Sequence, residues 1–394
     1  MPRPPEPVRI LTAVPICDGH DSAINTINLE LIRHGVEVVY LGYHRSARDI
    51  ARAAVQEDVR GVGISSYNGG HVEFFGKVVE MLWDEGAKHI EVFGGGGGTI
   101  THDDEKRMRA GGVDRIFFAG TPLTEIVNYV LTRFGKPVRG AAATRRGASE
   151  DLRISQMLAG GVRAERKLRG RQDGPLVIGI TGPGGAGKTT LIDELVLRQL
   201  NADPRARVAI LSHDPSIVGK GALLGDRAVM IHSQHDRVFM RSLATRGQAG
   251  GLSGETRRCV ERLAAIRLDG GRHFDLIIVE TVGIGQEAVP FDRDLVSRTV
   301  LVMSPEYGSR LQLQKIAMLD VADVVVVNKS DRPGARAAVV EIGQRTRSDR
   351  GGPQIVSACA KRHRDAGVDE LFSLLTRRES SPKTAARKAK PQRT

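Results

Sequence analysis

Cysteine is scarce in this 394-residue chain: Cys17, Cys259 and Cys359 are far apart and odd in number. That argues against a disulfide framework and a cysteine zinc site, and it fits a reducing cytoplasm. Long apolar runs are also missing. The stretch from Ile10 to Cys17 is short and is broken by Asp18, and nothing approaches the length of a membrane span. A soluble, unprocessed protein without membrane partners is expected. Aromatic residues are few, at 4%, which bears on the charge. The chain has 58 Lys and Arg against 46 Asp and Glu, a net +12. Residues 135 to 174 hold ten basic and four acidic side chains, and residues 377 to 394 hold seven and one, so these two segments carry the whole excess. Basic charge confined to a linker and a tail, with few aromatics among it, marks solvated or docking chain, and no nucleic-acid partner is expected.

What is present is 40% hydrophobic and 26% charged, enough for sizeable cores, and the length suits two or three domains. From residue 8 to 134, apolar runs at Val8 to Ile16, Val36 to Leu41, Gly61 to Ser65, Ile90 to Phe93 and Arg115 to Phe118 alternate with amphipathic stretches near 22 to 34, 46 to 57, 72 to 86 and 122 to 133. The pattern is lost over 135 to 174, except for one short helix around Ile154 to Leu158, so a mobile or docking linker is expected there. It resumes at Leu176 to Thr181, Arg207 to Leu211, Leu276 to Val279, Thr299 to Met303, Val324 to Val327 and Gln354 to Val356, and ends near Thr376 before a polar tail. Two α/β domains follow, each a doubly wound parallel sheet, covering 8–134 and 175–376.

The second half carries Gly182-Pro-Gly184-Gly185-Ala186-Gly187-Lys188-Thr189, followed by Thr190, between a strand and a helix. Glycines there let backbone N–H groups face phosphates, Lys188 reaches the β/γ oxygens, and the Thr189 hydroxyl can ligate Mg²⁺. Asn328-Lys329-Ser330-Asp331 follows another apolar strand. Guanine offers two adjacent donors that one carboxylate can accept together, so Asp331 selects GTP over ATP. Ser357-Ala358 at the end of a further strand completes the order of a G domain. Between these lie Asp214, Asp226 and Glu280 as candidate Mg²⁺ carboxylates, and Gly283 as a γ-phosphate N–H donor. Gly219 to Gly225 is expected to be a loop that orders on nucleotide binding.

The segments Gly221-Ala-Leu-Leu-Gly-Asp226, Phe239-Met-Arg-Ser-Leu-Ala-Thr-Arg-Gly247 and Glu280-Thr-Val-Gly-Ile-Gly-Gln286 resemble the MeaB-type metallochaperone GTPases that accompany adenosylcobalamin-dependent acyl-CoA mutases. The resemblance implies Mg²⁺ around Thr189, Asp214, Asp226 and Glu280 and GTP turnover gating cofactor delivery or removal, and it identifies no hydrolytic base; Lys188, Thr189, Glu280 and Gln286 are the catalytic candidates. It departs from the family at Val229, where an arginine is expected. Gln286 and Arg246 are each a candidate for hydrolysis or for an interdomain switch.

In the first half, Asp18-Gly-His20 lies just past the first strand, where a doubly wound sheet binds ligands. A carboxylate two residues before an imidazole can fix its tautomer and raise its basicity. Ser65-Ser-Tyr67-Asn-Gly-Gly-His71 after strand three and Gly94 to Gly98 after strand four add small residues at neighbouring strand ends, a slot into which a ligand can insert. Together these resemble the cobalamin-binding domain with D-x-H-x-x-G, S-x-L and G-G signatures, with Ala23 for the final glycine and Tyr67 for the leucine. The resemblance makes His20 the lower cobalt ligand and Asp18 its partner, with Ser65, Gly97, Gly98 and Thr121 as further cofactor contacts.

Both halves resemble, in order, the first two parts of fused isobutyryl-CoA mutases. A substrate barrel of about 250 residues is not among these 394. The expectation is therefore a cobalamin-binding subunit fused to its GTPase, serving a separate mutase large subunit, with a homodimer as a further assembly state. Two alternatives are a stand-alone cobalamin carrier or sensor gated by GTP, and a cobalamin-dependent methyltransferase component. The latter needs a helical cap before the sheet, and only seven residues precede Val8.

Overall fold

The computed structural model describes residues 7–16, 18, 22–67, 69–135, 147–160, 174–216, 219–283, 291–307, 317–346 and 352–377. The amino-terminal elements are β1 (Arg9–Ala13), α1 (Ser22–Arg33), β2 (Glu37–Tyr40), α2 (Ala47–Glu57), β3 (Gly61–Ser65), α3 (His71–Asp84), β4 (Glu91–Gly95), α4 (His102–Ala110), β5 (Val113–Phe117) and α5 (Leu123–Phe134). Alternate residues of each strand serve opposite faces. Leu11 and Ala13 of β1 pack with Ile50, Phe75 and Met108 of α2, α3 and α4, while Ile10 packs with Leu31, Val127 and Val130 of α1 and α5. Capping boxes start α2 (Ser46 with Asp49) and α4 (Thr101 with Asp104), each satisfying orphan backbone donors. The strongly polar α4 has no extended apolar stripe, and only its Met108 is buried, which is why the pattern gave no helix there.

A helix, α6 (Glu150–Ala159), occupies the middle of the expected linker. It is longer than Ile154 to Leu158 and buries Leu152, Ile154, Ser155 and Leu158. The carboxyl-terminal elements are β6 (Leu176–Thr181), α7 (Lys188–Ala202), β7 (Val208–Asp214), β8 (Ala222–Leu224), β9 (Val238–Ala244), α8 (Thr256–Ala265), β10 (Leu276–Glu280), β11 (Arg298–Met303), β12 (Val324–Val327), α9 (Ala335–Thr346), β13 (Gln354–Ser357) and α10 (Ala366–Thr376).

The described strands form two parallel sheets, ordered β5-β4-β3-β1-β2-β8 and β13-β12-β11-β6-β10-β7-β9. In the first, the strand order reverses between β1 and β3, and in the second at β6, so ligand crevices are expected after β1, β3 and β6. One expectation is corrected here. Residues 222–224, within the expected loop Gly219 to Gly225, form a strand that joins the amino-terminal sheet, pairing Glu37 with Ala222, Val38 with Leu223 and Val39 with Leu224. Gly221 makes this docking feasible, since a Cβ there would stand 2.0 Å from the Val36 carbonyl oxygen. The loop is ordered because its backbone pairs with β2. A strand of three residues carries too little periodicity to be read from sequence.

Candidate functional site

The phosphate loop lies between β6 and α7. Gly182, Gly185 and Gly187 all have positive φ, and a side chain at Gly187 would meet the Asn328 amide at 2.4 Å. That amide donates to the Ala186 carbonyl at 2.9 Å, while Asn328 Oδ1 accepts from Ala360 N–H at 3.0 Å, so the guanine-reading segment is tied to the phosphate loop. Gly184 N–H donates to the Gly283 carbonyl at 2.8 Å, and a Cβ on Gly283 would come within 2.6 Å of Gly184 Cα and 3.1 Å of Lys188 Nζ. Gly283 therefore sits directly against the loop it was expected to complete. The buried Lys188 ammonium donates to the Gly182 and Pro183 carbonyls at 3.1 and 3.3 Å. Burial lowers its pKa, opposed by Glu280 and Asp226.

The ends of β7 and β10 and the 3₁₀ turn after β8 bring Asp214, Glu280 and Asp226 near one another, with Asp226 and Glu280 meeting at Ser212. The Ser212 hydroxyl is hydrogen-bonded to Asp226 and lies 3.1 Å from Glu280 Oε2, and Thr189 donates to Glu280 Oε1 at 2.9 Å. Burial, then the Asp226 and Glu280 charges, pushes Asp214 up to about 8. Burial, then Asp226, pushes Glu280 up to about 8, and burial raises Asp226 too. Asp214 Oδ2 is buried with no hydrogen-bond partner among the described residues. Mutually repelling carboxylates with an orphaned oxygen beside a phosphate loop suit a hard divalent cation. Among the described residues no group of three or more His, Cys, Asp or Glu side chains is arranged to hold a metal ion by itself, so Asp214, Asp226 and Glu280 lie near one another without forming a ligand set.

His213, which the sequence reading passed over, is buried beneath this cluster. Its Nδ1 donates to the Glu280 carbonyl at 2.6 Å and its Nε2 lies 2.7 Å from the Thr256 hydroxyl of α8. Burial brings it down to about 4, so it stays neutral and acts as a strut. At the base-reading end, Lys361 and the Cys359 thiol both bond the Asp331 carboxylate and hold it down to about 2. Ser357 is exposed, and Ala358 N–H donates to the Val327 carbonyl within the sheet. Thr190, at the start of α7, is exposed. Gln286 lies outside the described residues.

At the other sheet, three sequence motifs are hydrogen-bonded into one edge. The buried Asp18 carboxylate accepts from Tyr67 N–H, the Tyr67 carbonyl accepts from the Thr99 hydroxyl at 3.1 Å, and Ser66 N–H donates to the Gly95 carbonyl at 2.9 Å. Ser65 is buried at the end of β3, and Thr121 bonds the Phe118 carbonyl at 2.8 Å. The glycine run is more than a flexible loop. Side chains at Gly94, Gly95 and Gly96 would stand 2.2, 2.2 and 1.6 Å from the carbonyl oxygens of Ile64, Phe117 and Ser66, and the Tyr67 ring fills the space over Gly97. Only Gly98 of the run faces open space. His20 lies outside the described residues, so the structure describes only its proposed partner Asp18.

Neither polar atom of Asn28 in α1, nor Thr12 Oγ1 in β1, has a hydrogen-bond partner among the described residues, although both residues are buried. Thr12 follows Ile10 on the face of β1 turned toward α1 and α5, with Gly63 beside it. Unpaired buried polar groups are costly, so this layer fits a polar ligand inserted between β1 and α1. An isolated Asn in an amphipathic helix gave no signal of this in the sequence.

The two domains also meet through side chains. Arg9 bonds Glu37 at 3.2 Å and the Ser242 carbonyl, Arg246 bonds Glu37 at 2.9 Å, and Arg227 bonds Glu57 at 3.0 Å. Arg246 thus bonds a carboxylate of the amino-terminal domain.

The family model described as "Methylmalonyl Co-A mutase-associated GTPase MeaB" matches residues 163–394. The chain belongs to the MeaB GTPase family. A second model, "B12 binding domain", matches residues 8–127, so a B12-binding domain precedes the MeaB GTPase. The chain is 40% identical over 371 residues to a fused isobutyryl-CoA mutase of Cupriavidus metallidurans, covering 88% of this chain and 33% of the relative. It is 41% identical over 360 residues to one from Nocardia farcinica, covering 87% and 33%. It thus spans about a third of the length of these relatives. The MeaB-like part alone is 34% identical over 192 residues to the mitochondrial "Methylmalonic aciduria type A homolog" of Mus musculus, covering 48% of this chain and 43% of that one.

Proposed function

We infer that the chain binds adenosylcobalamin on its amino-terminal sheet and uses Mg²⁺-dependent GTP hydrolysis to gate the loading of that cofactor onto an acyl-CoA mutase. The substrate-binding part is supplied by a separate large subunit in the cytoplasm. The observation that carries this reading is β8: a strand from the GTPase segment, between Asp214 and Asp226, lies in the B12-binding sheet. A GTPase merely tethered to a carrier needs no such shared strand.

Bound adenosylcobalamin supplies a cobalt–carbon bond. His20 is the residue that would hold the cobalt, and Asp18, whose carboxylate accepts from Tyr67 N–H, is its proposed partner and would orient it. Thr12 and Asn28 offer polar partners to the part of the ligand entering between β1 and α1. Thr189, Asp214, Asp226 and Glu280 are the residues that would hold Mg²⁺, which would offset phosphate charge together with Lys188, and Gln286 is the proposed water-orienting residue.

The test is isomerisation of acyl-CoA by the purified chain, with and without a mutase large subunit. GTP hydrolysis alone and isomerisation only with the second polypeptide are expected. Robust isomerisation by the chain alone would overturn the division of labour, and failure of any large subunit to bind would favour a stand-alone carrier.

A further inference from the structure

The turn Asp226–Ala228 is a 3₁₀ turn whose three consecutive residues face three different places. Asp226 bonds Ser212 within the carboxylate cluster at the phosphate loop. The Arg227 side chain, wholly buried, leaves its own domain to bond Glu57 at 3.0 Å and the Gln56 side chain at 3.0 Å, both in the last turn of α2. The Ala228 carbonyl accepts from the Arg45 guanidinium at 2.6 Å.

Arg45 is the informative partner. Its Nε also donates to the Leu41 carbonyl at 2.6 Å, which fixes the guanidinium between the two domains. Its backbone is part of the B12-binding edge: Arg45 N–H donates to the Val14 carbonyl at 3.1 Å, and Arg45 bridges Pro15. The Pro15 carbonyl in turn accepts from Asp18 N–H at 3.0 Å. The residue that grips the turn therefore also pairs with Pro15, whose carbonyl holds Asp18.

We propose that Arg45 is the positioning residue that couples the two sites, holding the Asp226–Ala228 turn at one end and the Val14–Pro15 backbone that holds Asp18 at the other, with Glu57 and Arg227 as its anchor. This rests on the reading that the amino-terminal sheet binds cobalamin. The turn is one short rigid element. A cation that recruits Asp226 draws on the same backbone that Arg45 holds, so each ligand biases the other's site. Coupling of this kind is reciprocal: cobalamin must change nucleotide affinity by the factor with which nucleotide changes cobalamin affinity. A guanidinium suits the role because its planar fork serves two carbonyls at fixed angles, which an ammonium cannot reproduce.

The experiment measures linkage in the full chain. A fluorescent nonhydrolysable GTP analogue with Mg²⁺ is titrated with and without saturating adenosylcobalamin, and the ratio of the two dissociation constants is compared among wild type, Arg45→Met, Arg45→Lys and Glu57→Gln. Wild type is expected to show a ratio about fivefold or more from unity. Arg45→Met should bring it to one while both ligands still bind, Arg45→Lys should restore part of it, and Glu57→Gln should reduce it. Arg45 is half-buried, so its variants keep the fold even where the fully buried Glu57 does not tolerate change. A general loosening of structure weakens both titrations alike and leaves the ratio unmoved. A wild-type ratio persisting in Arg45→Met, or two ligands binding wild type without linkage, overturns the proposal alone. Failure of wild type to bind cobalamin at all overturns the cobalamin reading as well.

Discussion

Arg227 Nε and Glu57 Oε1 meet at 3.0 Å, both side chains fully excluded from solvent, one from each domain. Burial acts to raise Glu57, but Arg227, Arg9, Arg241 and the Ser242 N–H outweigh it and hold the carboxyl below its ordinary range. Glu57 thus stays ionised and anchors arginines across the domain boundary, while Ser242 donates to it through both backbone and hydroxyl at 2.9 and 3.0 Å.

Removing one member of such a pair leaves an uncompensated charge in the interior. Glu57→Ala is expected to cost about 3–5 kcal/mol of stability, whereas Glu57→Met combined with Arg227→Met is expected to cost far less or nothing. Chemical denaturation of both variants checks this. A single variant as stable as wild type would show that water reaches the pair.

The carboxylate cluster predicts a pH dependence of opposite sign. Asp214 and Glu280, pushed up to about 8, bind protons in the folded state that the unfolded chain, at about 4, has released. Their contribution therefore makes the nucleotide-free protein less stable as pH rises from about 4 to about 8. Asp214→Asn should flatten that slope and raise the melting midpoint at pH 8 by about 2 °C or more. Mg²⁺ with GTP should flatten it in wild type. Glu57 acts elsewhere: with its folded value lowered, it stabilises above the ordinary carboxylate range and is lost only as pH falls below that range. An Asp214→Asn midpoint below wild type at pH 8 contradicts the repulsion argued here.

Guanine selection through Asp331 predicts that Asp331→Asn shifts preference from GTP toward xanthosine triphosphate, because the amide offers a donor to the xanthine carbonyl. The Asp331 partners Lys361 and Cys359 must yield to the base. Competitive displacement of a fluorescent nucleotide reads the preference. Equal affinity of wild type for ATP and GTP rules the assignment out.

Most strands were legible because both sheets are parallel and their buried strands read as apolar runs, such as Val324 to Val327. The phosphate loop and the guanine motif were legible because their residue types are dictated by the ligand. The joint between the domains was not. Arg227, Arg45 and Glu57 look like ordinary surface charges until tertiary contacts bury Arg227 and Glu57 and lock the half-buried Arg45 at the boundary. Ala222–Leu224 is too short for periodicity, and Arg241 and Ser242 interrupt the apolar run of β9, Val238–Ala244. Glycine need was visible at Gly94 to Gly98, but its cause, carbonyl oxygens of neighbouring strands where side chains would go, required the fold.

The most direct test of the central claim is the electron paramagnetic resonance spectrum of cob(II)alamin bound to the purified chain. The account predicts one-to-one binding with the splitting of a histidine nitrogen as lower ligand, lost in His20→Ala. No binding, or a spectrum unchanged by His20→Ala, contradicts it.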